Sequence, residues 1–309
     1  MKKVLSMLLA LSIFLVLSVG CTKQEAQVDN GKYNVVVTTT ILGDTVREIG
    51  GELINLEILM GPGVDPHLYK ASAGDVKKMT KADMIIYNGL HLEGKMGDVF
   101  ENMKNQGKLI FAATDGVDES KLLDFDANPG HYDPHLWFDI SLWKEVAVRI
   151  NEGLKELAEE HSEEFDKNLE GFLEKLTELD EYIRNRIEEL PEDKRVLVTA
   201  HDAFKYFGKA YGFEVRGLQG ISTEAEASTA DVRELADFIV EKEIKAIFVE
   251  SSVPKKNIEA LQEAVRAKGF NVEIGGELYS DSTGGPGTEA ESYIGTFKSN
   301  IDTIVDALK

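Results

Sequence analysis

From Tyr33 to the C-terminus, short runs of β-branched and other apolar residues alternate with amphipathic stretches. In the first half, segments 34–39, 54–59, 84–87 and 108–112 read as buried strands. Between them, helices are predicted to start near Leu42, Ser72 and Gly97. The second half repeats the scheme, with strands over 195–199, 214–217, 246–250 and 271–275 and helices near Asp202, Ser228, Lys256 and Thr288. Ser72…Asp75 and Ser228…Asp231 are matching capping signatures, one in each half. This alternation predicts an α/β fold of two similar lobes, each with a mostly parallel sheet.

Between the halves the period changes. Phe165, Leu169, Phe172, Leu173, Leu176, Leu179, Ile183, Ile187 and Leu190 follow at steps of three or four, the adjacent pair 172–173 apart. Charged residues fill the other positions and Pro191 ends the run. At 1.5 Å per residue such a helix is roughly 40 Å long, and it is too irregular for a coiled-coil heptad. It predicts a rigid strut joining the lobes, with Gly171 its weakest point. The expected organisation is an N-terminal lobe over 33–150, a linking helical region over 151–191 and a C-terminal lobe over 192–309.

Positions 1–20 are of another kind. Lys2 and Lys3 precede an apolar run from position 4 to 19, which is short for a membrane span and right for a signal peptide. Gly20 then precedes Cys21, the only cysteine in the chain. The pair resembles a bacterial lipoprotein processing site, although Ser18 stands where Leu is usual. The resemblance implies that Cys21 becomes a lipidated N-terminus, with 21–32 as its polar tether. The formal charge is −21, and removal of 1–20 takes away two lysines and no acid, leaving −23. Such a surface repels nucleic acid and anionic lipid, which argues against both as partners.

Six histidines carry the candidate chemistry. Val-Asp-Pro-His-Leu-Tyr-Lys (64–70) is echoed by Tyr-Asp-Pro-His-Leu-Trp-Phe (132–138), which presents His67 and His135 from loops shaped by proline. Asp65 and Asp133 either orient these imidazoles or simply start turns. His201 follows a strand at its carboxyl end, where ligands bind in open α/β sheets. Asp281 lies beyond another strand, in Gly-Gly-Glu-Leu-Tyr-Ser-Asp-Ser (275–282). The neighbouring Gly-Gly-Pro-Gly (284–287) lacks the Gly-Lys-Ser/Thr of a phosphate loop, and Thr288…Glu291 reads as a helix cap instead. Glu250, closing a strand, is placed either to accept from a ligand histidine or to start a helix. His131 is a candidate for gating or for supporting a ligand, and Thr38, Thr39 and Thr40 for lining the cleft floor. His91 and His161 read as surface residues.

Gly-Pro-Gly-Val-Asp-Pro-His (61–67), Asp-Pro-His-Leu-Trp-Phe-Asp (133–139), Thr-Ala-His-Asp-Ala-Phe-Lys-Tyr-Phe (199–207) and Gly-Glu-Leu-Tyr-Ser-Asp (276–281) resemble the ligand segments of zinc/manganese solute-binding lipoproteins. Segment 217–228 resembles another stretch typical of that family. The resemblance covers the chain from about Tyr33 onward. It implies two α/β lobes on one long helix, with a metal held between them by His67, His135, His201 and Asp281. It also implies an exported, lipid-anchored monomer, on the outer face of the cytoplasmic membrane or in the periplasm, that serves the permease and ATPase of an ABC importer. The residues agree: ligands 68, 66 and 80 positions apart converge only through a fold, and three imidazoles with one carboxylate suit Zn²⁺ and accommodate Mn²⁺. Two other roles stay open. One is a surface adhesin, as some relatives were first described. The other is a zinc hydrolase, for which no His-Glu-x-x-His pattern supplies a base. The segment 114–134 is acidic but holds only His131, so it lacks the His-rich loop common in dedicated zinc importers.

Overall fold

The computed structural model describes residues 31–125 and 130–309; the expected signal segment and Cys21 lie outside them. The first sheet is built from β1 (Tyr33–Val37), β2 (Ile54–Ile58), β3 (Met84–Tyr87) and β4 (Leu109–Ala112), all parallel, in the order β2-β1-β3-β4. Val35, Val36 and Val37 of β1 and Met84, Ile85 and Ile86 of β3 are buried, as central strands with both faces covered require. The crossovers carry α1 (Thr40–Gly50), α2 (Ala73–Lys81) and α3 (Gly97–Asn105). Ser72 and Asp75 form the capping box at the start of α2.

The second lobe follows the same logic with β5 (Val196–His201), β6 (Glu214–Gln219), β7 (Ala246–Glu250) and β8 (Glu273–Leu278). β5 pairs with β6 and β7 with β8, both parallel, and β5 packs beside β7. Its helices are α6 (Lys205–Tyr211), α7 (Thr229–Glu241), α8 (Lys256–Ala267) and α9 (Tyr293–Leu308). Ser228 and Asp231 again form a capping box, on α7.

Two helices connect the halves: α4 (Ile140–Leu157) and α5 (Ser162–Ile187). The 26 residues of α5 span about 39 Å. Phe165, Leu169, Phe172, Leu176, Leu179, Ile183 and Ile187 are buried along one face, against α1 and α4 of the first half and α9 of the second. One apolar core therefore runs through the whole body, while two smaller ones belong to single lobes.

Four local expectations differ from the structure. The expected linking region, 151–191, begins inside α4, which starts earlier, at Ile140. α6 starts three residues past Asp202, since His201 is still paired with Gln219 and Asp202 donates its N–H to Gly220 O. Thr288 and Glu291 form a turn rather than a cap: the Thr288 hydroxyl donates to Gly285 O and the Glu291 carboxylate accepts from Gly287 N. The cap of α9 is Ser292. Finally, β8 runs on through Gly275 and Gly276, which punctuate the sequence but do not end the strand. A Cβ at Gly275 would stand 2.6 Å from that of Ala307, so the glycine lets α9 lie close against the sheet.

Gly171 sits in mid-α5 with open space where a Cβ would go. Gly171→Ala is expected to raise the free energy of unfolding by about 0.5–1 kcal/mol, through chain entropy alone. Phe172→Ala, one residue on and 1% exposed, is expected to lower it by about 3–5 kcal/mol. Urea titration of both variants checks this; a destabilised Gly171→Ala protein would mean that α5 is not a continuous helix.

Candidate metal centre

Each lobe delivers two side chains to the junction. His67 comes from the long connection after β2, and His135 from the segment between β4 and α4. His201 is the last residue of β5, and Asp281 lies three residues past β8. All four are buried, with exposures of 3, 0, 0 and 1% respectively. One potential ligand atom from each lies within 4.8 Å of all the others. The Nε2 atoms of His135 and His201 are each 3.5 Å from Asp281 Oδ1. A tetrahedron with bonds of 2.0–2.1 Å has edges of about 3.4 Å. Nε2 of all three histidines and Asp281 Oδ1 are buried without a hydrogen-bond partner among the described residues. Orphaned polar atoms cost roughly 1–3 kcal/mol each, so four aimed at one point form a site built for a cation.

The backs of these ligands are held. Asp133 Oδ1 lies 2.7 Å from His135 Nδ1 and accepts from the His135 backbone N–H at 2.9 Å. Glu250 repeats the arrangement across the switch from β5 to β7: its Oε2 is 2.5 Å from His201 Nδ1, and Oε1 accepts from His201 N at 2.8 Å. Each carboxylate thereby fixes an imidazole with Nε2 turned into the centre. Gly217 makes room at this corner, because a Cβ there would meet the Asp202 backbone nitrogen at 2.4 Å. Asp281 Oδ2 accepts from the Ser252 hydroxyl at 2.8 Å, leaving Oδ1 for the centre.

Asp65 differs from its counterpart in the repeat. Its Oδ1 accepts from the His67 backbone N–H at 2.9 Å, and its Oδ2 from the Thr223 hydroxyl of the other lobe at 2.6 Å. It shapes the His67 loop rather than the imidazole. The three rings accordingly titrate apart. Burial pushes His67 down to about 3, helped by His135 and His201 and opposed by Asp281. For His135, burial is outweighed by Asp133 and Asp281, and the ring is raised. For His201, burial is outweighed by Glu250 and Asp281, which lift it well above the ordinary imidazole range. Burial alone would raise Asp281, but His201, His135 and His67 hold its carboxyl well below the usual carboxylate range.

The remaining histidines stand apart from this cluster. His131 stacks on His91 with ring centroids 5.3 Å apart, and His161 meets Tyr33 and Phe165 edge-on. The three threonines serve the frame: Thr38 donates to the buried Glu93, Thr39 caps α1, and Thr40 accepts from Thr283 N of the second lobe. Sequence reasoning missed Ser252, Thr223 and Trp137, whose Nε1–H donates to Ser280 O at 2.9 Å. Ser252 was the most findable, two residues past Glu250 at a strand's carboxyl end.

Residues 35–307 match the family described as zinc-uptake complex component A, periplasmic. Over 279 residues the chain is 48% identical to the zinc-binding protein TroA of Treponema pallidum (strain Nichols), covering 90% of each. Over 292 residues it is 46% identical to the manganese-binding lipoprotein MntA of Bacillus subtilis (strain 168), covering 94% of each. The solved structure of the periplasmic zinc-binding protein TroA superposes with a TM-score of 0.88, covering 90% of this chain and 99% of that one. By fold and by sequence alike, the chain belongs to the zinc/manganese ABC-transporter solute-binding protein family.

Proposed function

We propose that this chain is the extracytoplasmic binding component of an ABC importer, capturing a zinc or manganese ion through His67, His135, His201 and Asp281 and yielding it to a permease driven by an ATPase. The observation that carries the reading is the convergence of three Nε2 atoms and Asp281 Oδ1, all buried and unpaired among the described residues. The fixed backing of His135, His201 and Asp281 supports it, because rigid ligands hold an ion without reorganising. Three nitrogens and one carboxylate oxygen suit tetrahedral zinc, and a bidentate carboxylate would extend the set toward manganese. The relatives' names divide the same way, zinc for one and manganese for the other. Binding rather than catalysis is favoured by the donor set itself. All four corners are protein atoms, and Glu250 already has both oxygens on His201. Lipid anchoring through Cys21 accords with the lipoprotein name of MntA.

Removing a ligand should cost more than the 10–100-fold in affinity typical of an outer supporting group. His67→Ala, His135→Ala, His201→Ala and Asp281→Ala are therefore each expected to weaken Zn²⁺ binding by more than about a hundredfold, and Glu250→Gln by about 10–100-fold. His91→Ala and His161→Ala should bind as wild type in a competitive chelator titration. Retention of full affinity by any of the four ligand variants would overturn the assignment.

Acidity gives an independent check. His135 and His201 are raised, so protons compete with an entering ion at these two rings, whereas His67, at about 3, offers no such competition near neutral pH. As pH is lowered, apparent affinity should fall about tenfold per pH unit for each proton displaced, read by calorimetry in buffers of different ionisation enthalpy. The metal-free fold runs the other way. Stability from a raised imidazole is fully present below its unfolded pKa of about 6.5 and is lost as pH rises through the folded value. The gain in melting temperature on adding metal should thus grow between pH 6.5 and 8. A gain independent of pH would refute the proton exchange.

For the anchor, Cys21→Ala should abolish metabolic labelling by fatty acid and release the protein from the membrane fraction. A lipid-labelled, membrane-bound Cys21→Ala protein would exclude lipidation at this residue.

A further inference from the structure

We propose that Thr223, with its neighbour Glu224, is a latch that positions the His67 loop across the cleft and sets how fast a captured ion leaves. This rests on reading the four-residue cluster as a metal site. An ion bound there has no path to water as the protein stands, since its donors are at most 3% exposed. Something must move, and the contacts between the lobes are not alike.

At the base of the cleft they are buried and multiple. Tyr293 N donates to Asp44 Oδ2 at 2.8 Å and Thr283 N to Thr40 Oγ1 at 2.8 Å. The Tyr293 hydroxyl donates to Trp137 O at 2.6 Å, and Trp137 in turn reaches Ser280 O. Beneath them runs the continuous apolar core along α5. Rotating the lobes as rigid bodies would break all of this at once.

At the mouth the contacts are fewer and polar. Thr223 donates to Asp65 at 2.6 Å, Lys95 pairs with Glu224 at 2.8 Å, and Gly63 N donates to Ser282 Oγ at 2.9 Å. Lys95 and Glu224 are 37% and 46% exposed, so their attraction is screened by salt. The loop bearing Thr223 joins β6 to α7 without regular structure. It is tied to its own lobe by Gln219, which donates to Ala225 O and accepts from Asn257.

What the latch holds is the least buried ligand. Asp65 uses one oxygen for Thr223 and the other for the His67 backbone N–H, so two hydrogen bonds relay the second lobe's loop to the first lobe's ligand. His135 and His201 each have a carboxylate on the ring itself, supplied from the same lobe as the ring it holds. Releasing Thr223 therefore frees His67 and its loop to swing outward while the other three ligands stay in place. Thr223 is in this sense a positioning residue, acting through Asp65.

The test is stopped-flow dissociation of Zn²⁺ from the purified protein into excess chelator, with association measured alongside. Thr223→Val removes one hydrogen bond to a charged group and should raise the dissociation rate constant about tenfold, with one ion per chain and no slower association. Thr223→Ser keeps the hydroxyl and should restore the wild-type rate. Glu224→Gln, an exposed change, should give a smaller acceleration that disappears at high salt. Wild-type dissociation from Thr223→Val, or equal behaviour of the Val and Ser variants, would overturn the latch. So would a Glu224→Gln protein that is no faster at low salt. Failure of the wild-type chain itself to bind Zn²⁺ would instead remove the parent reading.

Discussion

Everything in this protein is arranged around one expensive constraint: four polar atoms that seek a cation must be kept dry and facing one another. In the absence of an ion such a cluster is unstable by repulsion and by lost hydration. Two devices offset that. Carboxylates behind His135 and His201 raise the proton affinity of these rings, and Asp281 faces both at 3.5 Å. A proton on either ring and an entering cation answer to the same carboxylates, so the two compete for the centre. His67, driven toward neutrality by burial, is the position already open to a metal.

Such a centre demands a frame that does not yield. Each lobe contributes two ligands, and neither pair makes a site alone. The long helix α5 answers this by packing against α1 and α4 on one side and α9 on the other, which merges the cores of the two halves. The parallel sheets then place the ligands where such sheets place any ligand, beyond the carboxyl ends of their strands. In the second lobe β5 and β7 lie close together and bring His201 and Glu250 side by side at their carboxyl ends.

Much of this was legible in the residues. The repeated Asp-Pro-His-Leu pointed to His67 and His135, the strand pattern to His201, and the apolar stripe to α5. What escaped was whatever depends on neighbours that are distant in the chain. Asp65 and Asp133 occupy the same place in the same motif, yet Asp133 turns to its ring and Asp65 to Thr223, 158 residues away. No local pattern separates the two. Ser252 and Trp137 escaped for the same reason, as each acts on a segment delivered by another strand end. Local punctuation misled at Gly275, where glycine serves helix packing, and at Thr288, where a capping pattern closes a turn.

A binding component that serves a transporter must hold its ion tightly and still give it up, and these demands fall on different parts of the molecule. Ligands backed by their own carboxylates cannot open without breaking short buried bonds, which suits them to holding. His67 has no carboxylate on its ring, and the bond that steadies it through Asp65 crosses the cleft from Thr223. A partner that draws the lobes' rims apart by a small amount would act on this ligand first, converting a four-donor site into a three-donor one before any large motion. Selective weakness at one corner would let a stiff frame release its cargo without a hinge.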